Sequence, residues 1–161
     1  MDKEKLLTPT KTFEKFSEIT PEFLLSEGVF GLMCDIDDCL VVHNFPLPTD
    51  EVKKWAKSLY ENGIQLILIS NNTYKRAAPF AKALCCPFLT MAQKPSEKFL
   101  IKALAVMNIK KENAAFLGDQ LYTDIKGGNL FGIKTYKVIP VGNKAPVWVK
   151  IKRKMERKYE K

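Results

Sequence analysis

The chain has 161 residues, of which 46% are hydrophobic, and a formal net charge of +8 at pH 7. A chain of this length can bury a sizeable core within one unit, so we predict a single domain over residues 1–161. No apolar run approaches the roughly 20 residues of a membrane span, and the acid-bearing start lacks the apolar stretch of a secretion signal. The four cysteines form no C-x-x-C pair, which argues against a zinc or disulfide framework and indicates reduced thiols in a cytoplasmic protein.

Residues 1–28 are predicted to form a helical extension. Aromatic and apolar side chains recur in it at helical spacing, at Phe13, Phe16, Ile19 and Phe23. A helix is expected to begin at Thr20, because a proline and an acid follow in what would be its first turn. We expect the extension to cover one face of a sheet, and contact of its aromatic side chains with a membrane surface is the alternative.

An apolar run over residues 29–34, bounded by a glycine and by acids, is typical of a short buried strand. Asp35 and Asp37 follow it, and side chains two positions apart on an extended backbone point the same way. One such carboxylate can act as a nucleophile and the other can move protons, with a cation to offset their charge. A solvated acidic turn is the alternative. A calcium loop is excluded, because Leu40 and Pro46 stand where its glycine and its final glutamate belong.

Four further strands are predicted along the rest of the chain, at residues 64–70, 87–90, 114–117 and 134–139. Thr49 is expected to cap the first intervening helix and Ser96 a later one. Pro79 is expected to break the helical stretch between them into two pieces. Five strands that alternate with helices predict an α/β fold with a mainly parallel sheet and right-handed crossovers.

The polar residues that could carry chemistry follow the carboxyl ends of these strands. Asp35 and Asp37 follow the first strand, Ser70 the second, Lys94 the third and Asp119 the fourth. Open α/β sheets bind ligands in the crevice at this edge. Each residue alone could be a turn residue, a surface lysine or a helix cap, but their coincidence at one edge indicates a site.

The order of these residues resembles that of the haloacid dehalogenase (HAD) superfamily over nearly the full chain. The matching motifs are Asp35-Ile-Asp37, Ser70-Asn71, Lys94-Pro95 and Gly118-Asp-Gln-Leu-Tyr-Thr-Asp124. The closer resemblance, carried by Ile19-Thr-Pro-Glu22, Ser70-Asn-Asn72 and the continuation of the last motif to Asn129, is to subclass IIIA, the YqeG-like relatives of phosphatidylglycerophosphate phosphatases. A phosphoacceptor receiver domain combines similar residue types but places them after different strands.

The resemblance implies a Rossmann-like three-layer sandwich and a Mg²⁺-dependent phosphomonoesterase. Asp35 would be the nucleophile that forms an aspartyl-phosphate, and Asp37 would be the general acid and base. Mg²⁺ would be held by Asp35, Asp119 and the backbone carbonyl of Asp37, with Asp124 supporting it directly or through water.

Phosphate binding is implied for Ser70, the backbone N–H of Asn71 and Lys94. The short connections between motifs leave no room for a cap domain, so the site is expected to be open to a bulky phosphate ester. By resemblance, phosphatidylglycerophosphate is the leading substrate. A phosphoprotein or a nucleotide is one alternative, and a weakly active module that binds nucleic acid or protein is another.

The chain departs from the family pattern at Asp38 and Cys39, where the family usually has Asn and Thr. The turn gains a carboxylate and loses a hydroxyl, which bears on the rate and on the metal preference. His43, the one histidine of the sequence, is expected to be an exposed loop residue rather than a substrate contact.

Residues 146–161 are predicted to form a basic amphipathic helix. One apolar stripe contains Trp148, Ile151, Met155 and Tyr159, and residues 150–161 hold seven of the Lys and Arg residues but two of the acids. Such a helix can bind an anionic membrane peripherally, here at the inner face, or it can pack on the sheet with its basic face in solvent. Nucleic acid is the less favoured partner, because the sequence has no aromatic strand platform and no helix-turn-helix pattern.

Overall fold

A computed structural model of the protein describes residues 2–142 and 146–160. Its helices and strands, in chain order, are α1 (Lys3–Leu7), β1 (Lys11–Phe13), α2 (Pro21–Ser26), β2 (Gly31–Cys34), α3 (Asp50–Glu61), β3 (Gln65–Ile69), α4 (Tyr74–Leu84), β4 (Phe88–Leu89), α5 (Lys98–Met107), β5 (Ala114–Gly118), α6 (Lys126–Phe131), β6 (Lys134–Val138) and α7 (Val147–Glu156). A π-helical turn, Leu121–Ile125, precedes α6.

The strands form one parallel sheet in the order β1-β6-β5-β2-β3-β4. Successive side chains of β2 enter different apolar clusters, because Leu32 and Cys34 pack with α3 and α4 whereas Met33 packs with α5. Helices therefore cover both faces, and the α/β three-layer prediction is confirmed. From β2 the chain runs outward to β3 and β4 on one side and to β5 and β6 on the other, so the strand order reverses beside β2. Ligands bind at such a point in open α/β sheets.

The prediction of five strands was wrong by one. β1 lies within the predicted helical extension and pairs in parallel with β6, so that Lys11 is opposite Tyr136. Thr10 and Thr135 reinforce this pairing, since each hydroxyl accepts a hydrogen bond from the other residue's backbone N–H. The aromatic residues of the extension pack as expected, because Phe16 is buried and Phe13 contacts other rings of the core.

Two helices differ from expectation, one in its continuity and one in its start. α4 runs unbroken through Pro79, because the backbone hydrogen bond that proline removes would join it to Lys75, and both residues are exposed. α5 begins at Lys98 after Glu97, while the backbone N–H of Ser96 closes a turn onto the Gln93 carbonyl. Thr49, in contrast, caps α3 as predicted.

The connections that could hold a cap domain are short. A loop and α3 lie between β2 and β3, and α4 alone lies between β3 and β4. Both connections are within the described residues, and neither contains an inserted domain. Across residues 2–142 and 146–160, no helix is long and apolar enough to cross a membrane.

Candidate active site

Three buried carboxylates meet at the carboxyl edge of the sheet. Asp35 follows β2, Asp119 follows β5, and Asp124 lies in the π-helical turn; each offers an oxygen within 4.8 Å of the other two. The Lys94 ammonium lies among them, 2.9 Å from an oxygen of Asp35 and 2.6 Å from one of Asp124. The predicted residues of three separate motifs therefore form one group, called the acid cluster below.

The position of Asp124 depends on a close approach to Gly118. A Cβ atom on Gly118 would lie 2.3 Å from the Asp124 carboxylate, which leaves no room for a side chain. The π-helical turn directs Asp124 back onto the strand end, where its second oxygen accepts hydrogen bonds from the backbone N–H groups of Asp119 and Gln120. The glycine of this motif is thus a packing requirement of the acid cluster.

Burial controls the protonation of this cluster. It raises the pKa of Asp35 to about 7, with Asp124 acting in the same direction and Lys94 opposing it. Burial also raises the pKa of Asp119 well above its usual range, with the neighbouring carboxylates adding to the effect. For Lys94, burial acts to lower the pKa, but Asp124 and Asp35 outweigh it and raise the pKa. The two carboxyl groups therefore hold protons more readily than usual, because Lys94 offsets the negative charge of the cluster only in part, as expected of a cation site.

The donor set of this cluster fits a hard divalent cation such as Mg²⁺. All three groups supply carboxylate oxygens, which Mg²⁺ prefers. Among residues 2–142 and 146–160, Oδ1 of Asp119 is buried and has no hydrogen-bond partner. The Asp37 carboxylate is not in the cluster, which leaves its backbone carbonyl as the ligand that the resemblance implies.

Asp37 is held by a residue that the sequence analysis missed. Its Oδ1 accepts hydrogen bonds from the backbone N–H of Asn44 and from Nη2 of Arg76, both at 2.8 Å. Arg76 comes from α4, and its side chain is only 10% exposed. A basic residue early in a helix has no distinctive pattern, so no sequence signal separated Arg76 from its surface neighbours.

Ser70 and Asn71 line the same cavity as Asp35, Asp37 and Lys94, a space of about 370 Å³. Ser70 is buried, and its hydroxyl oxygen accepts a hydrogen bond from the backbone N–H of Asn72. The Asn71 side chain accepts one from the backbone N–H of Lys94 at 2.8 Å. The predicted phosphate-binding residues are thus together, and Asn71 links the two loops that carry them.

The departure at Asp38 is explained by a second arginine that the sequence analysis missed. Nη2 of Arg153, from α7, lies 2.8 Å from Asp38 and 2.7 Å from Asp119. Asp38 has a positive φ of 60°, a conformation that Asn and Asp adopt more readily than other side chains. Asp can therefore replace Asn in this turn, and its added charge is paired.

His43 and Cys39 complete this turn. His43 was expected to be exposed, but it is half-buried: its backbone N–H donates to Asp38, and its ring nitrogen lies 3.5 Å from that carboxylate. Cys39 is buried in the core near Cys34, and burial raises the pKa of its thiol. Cys39 is therefore a neutral packing residue.

The C-terminal helix packs beside the site. Val149 is buried, and the buried carboxylate of Glu156 accepts a hydrogen bond from the backbone N–H of Tyr122 in the π-helical turn. Of the predicted apolar stripe, Tyr159 packs against Tyr122, while Trp148, Ile151 and Met155 remain exposed. The predicted stripe is therefore divided between a packed end and an exposed face.

A larger cavity, of about 540 Å³, lies between α3 and α4. Its lining includes Gln65, the first residue of β3, and Ile64 and Pro87, which directly precede β3 and β4. It therefore opens at the amino ends of the strands, away from the acid cluster, and its lining is mostly apolar. We assign it no part in the chemistry.

Comparison with known proteins agrees with this geometry. Residues 6–132 match the family model of the haloacid dehalogenase-like hydrolases. The chain is 34% identical over 155 residues to "Probable phosphatase YqeG" of Bacillus subtilis, covering 96% of this chain and 90% of the relative. The cobalt-bound deoxy-D-mannose-octulosonate 8-phosphate phosphatase of Haemophilus influenzae is similar in fold, with a TM-score of 0.59 at 15% identity over 83% of this chain and 88% of that one.

A second solved structure, the 3-deoxy-D-manno-octulosonate 8-phosphate phosphatase of Yersinia pestis, has a TM-score of 0.52 at 16% identity. The match covers 72% of this chain and 75% of the Yersinia chain. These two likenesses concern the fold alone. The family match and the Bacillus relative extend over most of the sequence and confirm the resemblance drawn from its motifs. The chain belongs to the haloacid dehalogenase-like hydrolases.

Proposed function

We propose that the protein is a Mg²⁺-dependent phosphatase that hydrolyses phosphomonoesters through an aspartyl-phosphate. The observation that carries the proposal is the contact of Lys94 with both Asp35 and Asp124, at the floor of a cavity that Ser70 also lines. A nucleophilic carboxylate beside a fixed cation is what an incoming phosphoryl dianion requires. The phosphatase name of the Bacillus relative supports the same reaction class.

In the proposed reaction, an oxygen of Asp35 attacks phosphorus, and the bond from phosphorus to the ester oxygen breaks. Asp37 gives its proton to the departing alcohol. It then takes a proton from the water that attacks the aspartyl-phosphate, which restores Asp35 and releases inorganic phosphate. Arg76 and the backbone N–H of Asn44 hold one oxygen of Asp37, so its other oxygen is the one available for proton transfer.

The phosphoryl oxygens are bound in this proposal by Ser70, the backbone N–H of Asn71 and Lys94. Mg²⁺ would be held by Asp35, Asp119 and the backbone carbonyl of Asp37, with Asp124 in support. When bound, it supplies positive charge that offsets the carboxylates and the phosphoryl dianion. Arg153 orients Asp119 by holding one of its oxygens, which leaves the other free for the cation.

For the substrate, we propose a bulky phosphate ester, with phosphatidylglycerophosphate as the leading candidate. No cap encloses the cavity within the described residues, and the exposed Trp148, Ile151 and Met155 lie on a basic helix beside it. An apolar and basic helix face suits the anionic surface of a membrane, to which the protein would bind peripherally. A phosphoprotein or a nucleotide is the alternative substrate.

The reaction is tested with a panel of soluble and lipid phosphomonoesters, with Mg²⁺ or with a chelator, for the wild type and for Asp35→Asn. We expect Mg²⁺-dependent phosphate release by the wild type and none above background by the variant, with an unchanged circular dichroism spectrum. Undiminished hydrolysis by Asp35→Asn would contradict the mechanism. Binding of nucleic acid or protein without any turnover would favour the weakly active binding module.

Membrane contact is tested by co-sedimentation with anionic vesicles. Replacing both Ile151 and Met155 by serine removes exposed apolar surface outside the cavity lining, so binding should weaken while hydrolysis of soluble esters is retained. Replacing the exposed Val106 on α5 by serine is the control. Absence of vesicle binding and of lipid turnover by the wild type would overturn the lipid assignment and leave the soluble alternatives.

A further inference from the structure

One wall of the cavity above the acid cluster is built by the C-terminal helix. Trp148, Val149 and Lys152 line the same space as Asp35 and Ser70. Trp148 is exposed and Lys152 is half-buried at the mouth of the cavity, whereas Asp35 and Lys94 are buried at its floor. In a phosphatase of the proposed kind, the phosphoryl group occupies the floor, and the alcohol that leaves extends toward the mouth.

This wall is fixed to the rest of the molecule. Val149 is buried, and Arg153 forms ion pairs with Asp38 and Asp119. The Glu156 carboxylate accepts a hydrogen bond from the backbone N–H of Tyr122. These anchors lie on both sides of Lys152 along the helix. The Lys152 backbone is therefore held in place, and its ammonium group lies 5.4 Å from the centre of the exposed Trp148 ring, within range of a cation–π contact at the cavity.

Charge at the site leaves Lys152 available to a ligand. In the described part of the chain, five carboxylates at the site form ion pairs with three basic side chains. The carboxylates belong to Asp35, Asp37, Asp38, Asp119 and Asp124, and the basic side chains to Lys94, Arg76 and Arg153. One divalent cation would offset the excess. Lys152 pairs with no carboxylate in the described part of the chain, although it is half-buried at the cavity. A lysine so placed attracts a further anion on the substrate.

We propose that Lys152, supported by Trp148, forms a subsite for a second anionic group on the alcohol part of the substrate. The inference rests on the proposed function and narrows its substrate class to phosphomonoesters whose leaving alcohol carries another negative charge, such as a phosphodiester. Lys152 is a specificity residue in this scheme and takes no part in phosphoryl transfer.

The test compares two soluble esters of matched size: the phosphate ester of hydroxypropane sulfonate, and the same ester with a neutral methyl sulfone in place of the sulfonate. The wild type should prefer the sulfonate by about tenfold in kcat/KM, the effect of one charge-assisted contact. Lys152→Gln should remove this preference through KM, and Lys152→Arg should retain it. Lys154→Gln removes the same charge from the exposed side of the helix and should retain the preference.

The outcomes separate the inference from the function on which it rests. Turnover of both esters with equal kcat/KM, or equal loss of preference in Lys152→Gln and Lys154→Gln, would overturn the subsite and leave the phosphatase in place. No turnover of either ester, or of any phosphomonoester in the panel, would overturn the proposed function and the subsite with it.

Discussion

Arg153 and Asp119 form an ion pair of 2.7 Å that joins the C-terminal helix to the end of β5. The same guanidinium group reaches Asp38 after β2, so one side chain links α7 to two neighbouring strands. Burial and the nearby carboxylates raise the pKa of Asp119, and the arginine counteracts both effects. Because the three groups are largely buried, loss of one partner leaves a charge without compensation.

Arg153→Met should therefore lower the free energy of unfolding by roughly 3 kcal/mol in the absence of Mg²⁺. The loss should be smaller with saturating Mg²⁺, because a cation at Asp119 replaces part of the missing charge. Urea denaturation without Mg²⁺ and with saturating Mg²⁺ measures the free energy of unfolding in both states. The exposed Arg157 is the control, and its replacement by methionine should change stability by less than about 0.5 kcal/mol. Equal effects of the two variants would contradict the role of the pair.

Asp38 and Arg153 should be energetically dependent on each other. Asp38→Asn restores the residue usual in the family but removes one partner of the arginine. In a double-mutant cycle with Arg153→Met, we expect an interaction energy of roughly 1–3 kcal/mol. Additive effects would show that the contact of 2.8 Å contributes nothing to stability.

Lys94→Met should lower both stability and kcat by more than the same change at an exposed lysine. It removes the cation between Asp35 and Asp124, so we expect a loss of roughly 3–5 kcal/mol in stability and of at least about a hundredfold in kcat. The stability loss should be smaller below about pH 6, where the raised pKa of Asp35 leaves that carboxyl protonated. Lys98→Met, at the exposed start of α5, is the control.

Arg76→Met tests whether the arginine positions Asp37 for proton transfer. An alkyl phosphate needs a protonated leaving group, so its kcat should fall by about a hundredfold. Nitrophenyl phosphate has a leaving group that departs without a proton, and its kcat should fall much less. Lys75→Met, which changes the exposed neighbour, should alter neither rate. An equal fall for both substrates in Arg76→Met would contradict a role through Asp37.

Mg²⁺ binding should strengthen as pH rises. Burial raises the pKa of Asp35 to about 7, so below that value the cation must displace a proton, and the dissociation constant should change by about tenfold per pH unit. Asp119, whose pKa burial also raises, should extend this dependence, because its proton must leave as well. In the metal-free protein the sign is opposite: the folded state holds this proton more tightly than the unfolded state, so stability falls as pH rises toward 7. Calorimetry and thermal denaturation across this range measure both trends.

The sequence predicted the floor of the site because its residues follow apolar strands. Asp35, Ser70 and Asp119 each come directly after such a run, and parallel strands bring their carboxyl ends to one edge. The order of the motifs then identified the family. These features depend on positions close along the chain, where patterns of hydrophobicity and turn residues are informative.

The features that the sequence did not predict depend on tertiary contacts. Arg76 and Arg153 reach the site from helices, and nothing in their local sequences distinguishes them from surface residues. β1 was missed because Lys11–Phe13 is short and mostly exposed, so it shows no buried pattern and is defined by its pairing with β6. Pro79 remained within a helix because the lost hydrogen bond lies on the solvent side.

The pairing of β1 with β6 has a consequence for folding. Thr10 and Thr135 hydrogen-bond across 125 positions of sequence, and contacts this distant form late because closing the intervening loop costs entropy. Until they form, β6 is an unpaired edge strand whose free N–H and C=O groups can pair with another chain. The first strand of the sequence therefore closes an aggregation-prone edge near the end of folding, and variants that weaken it should aggregate during refolding.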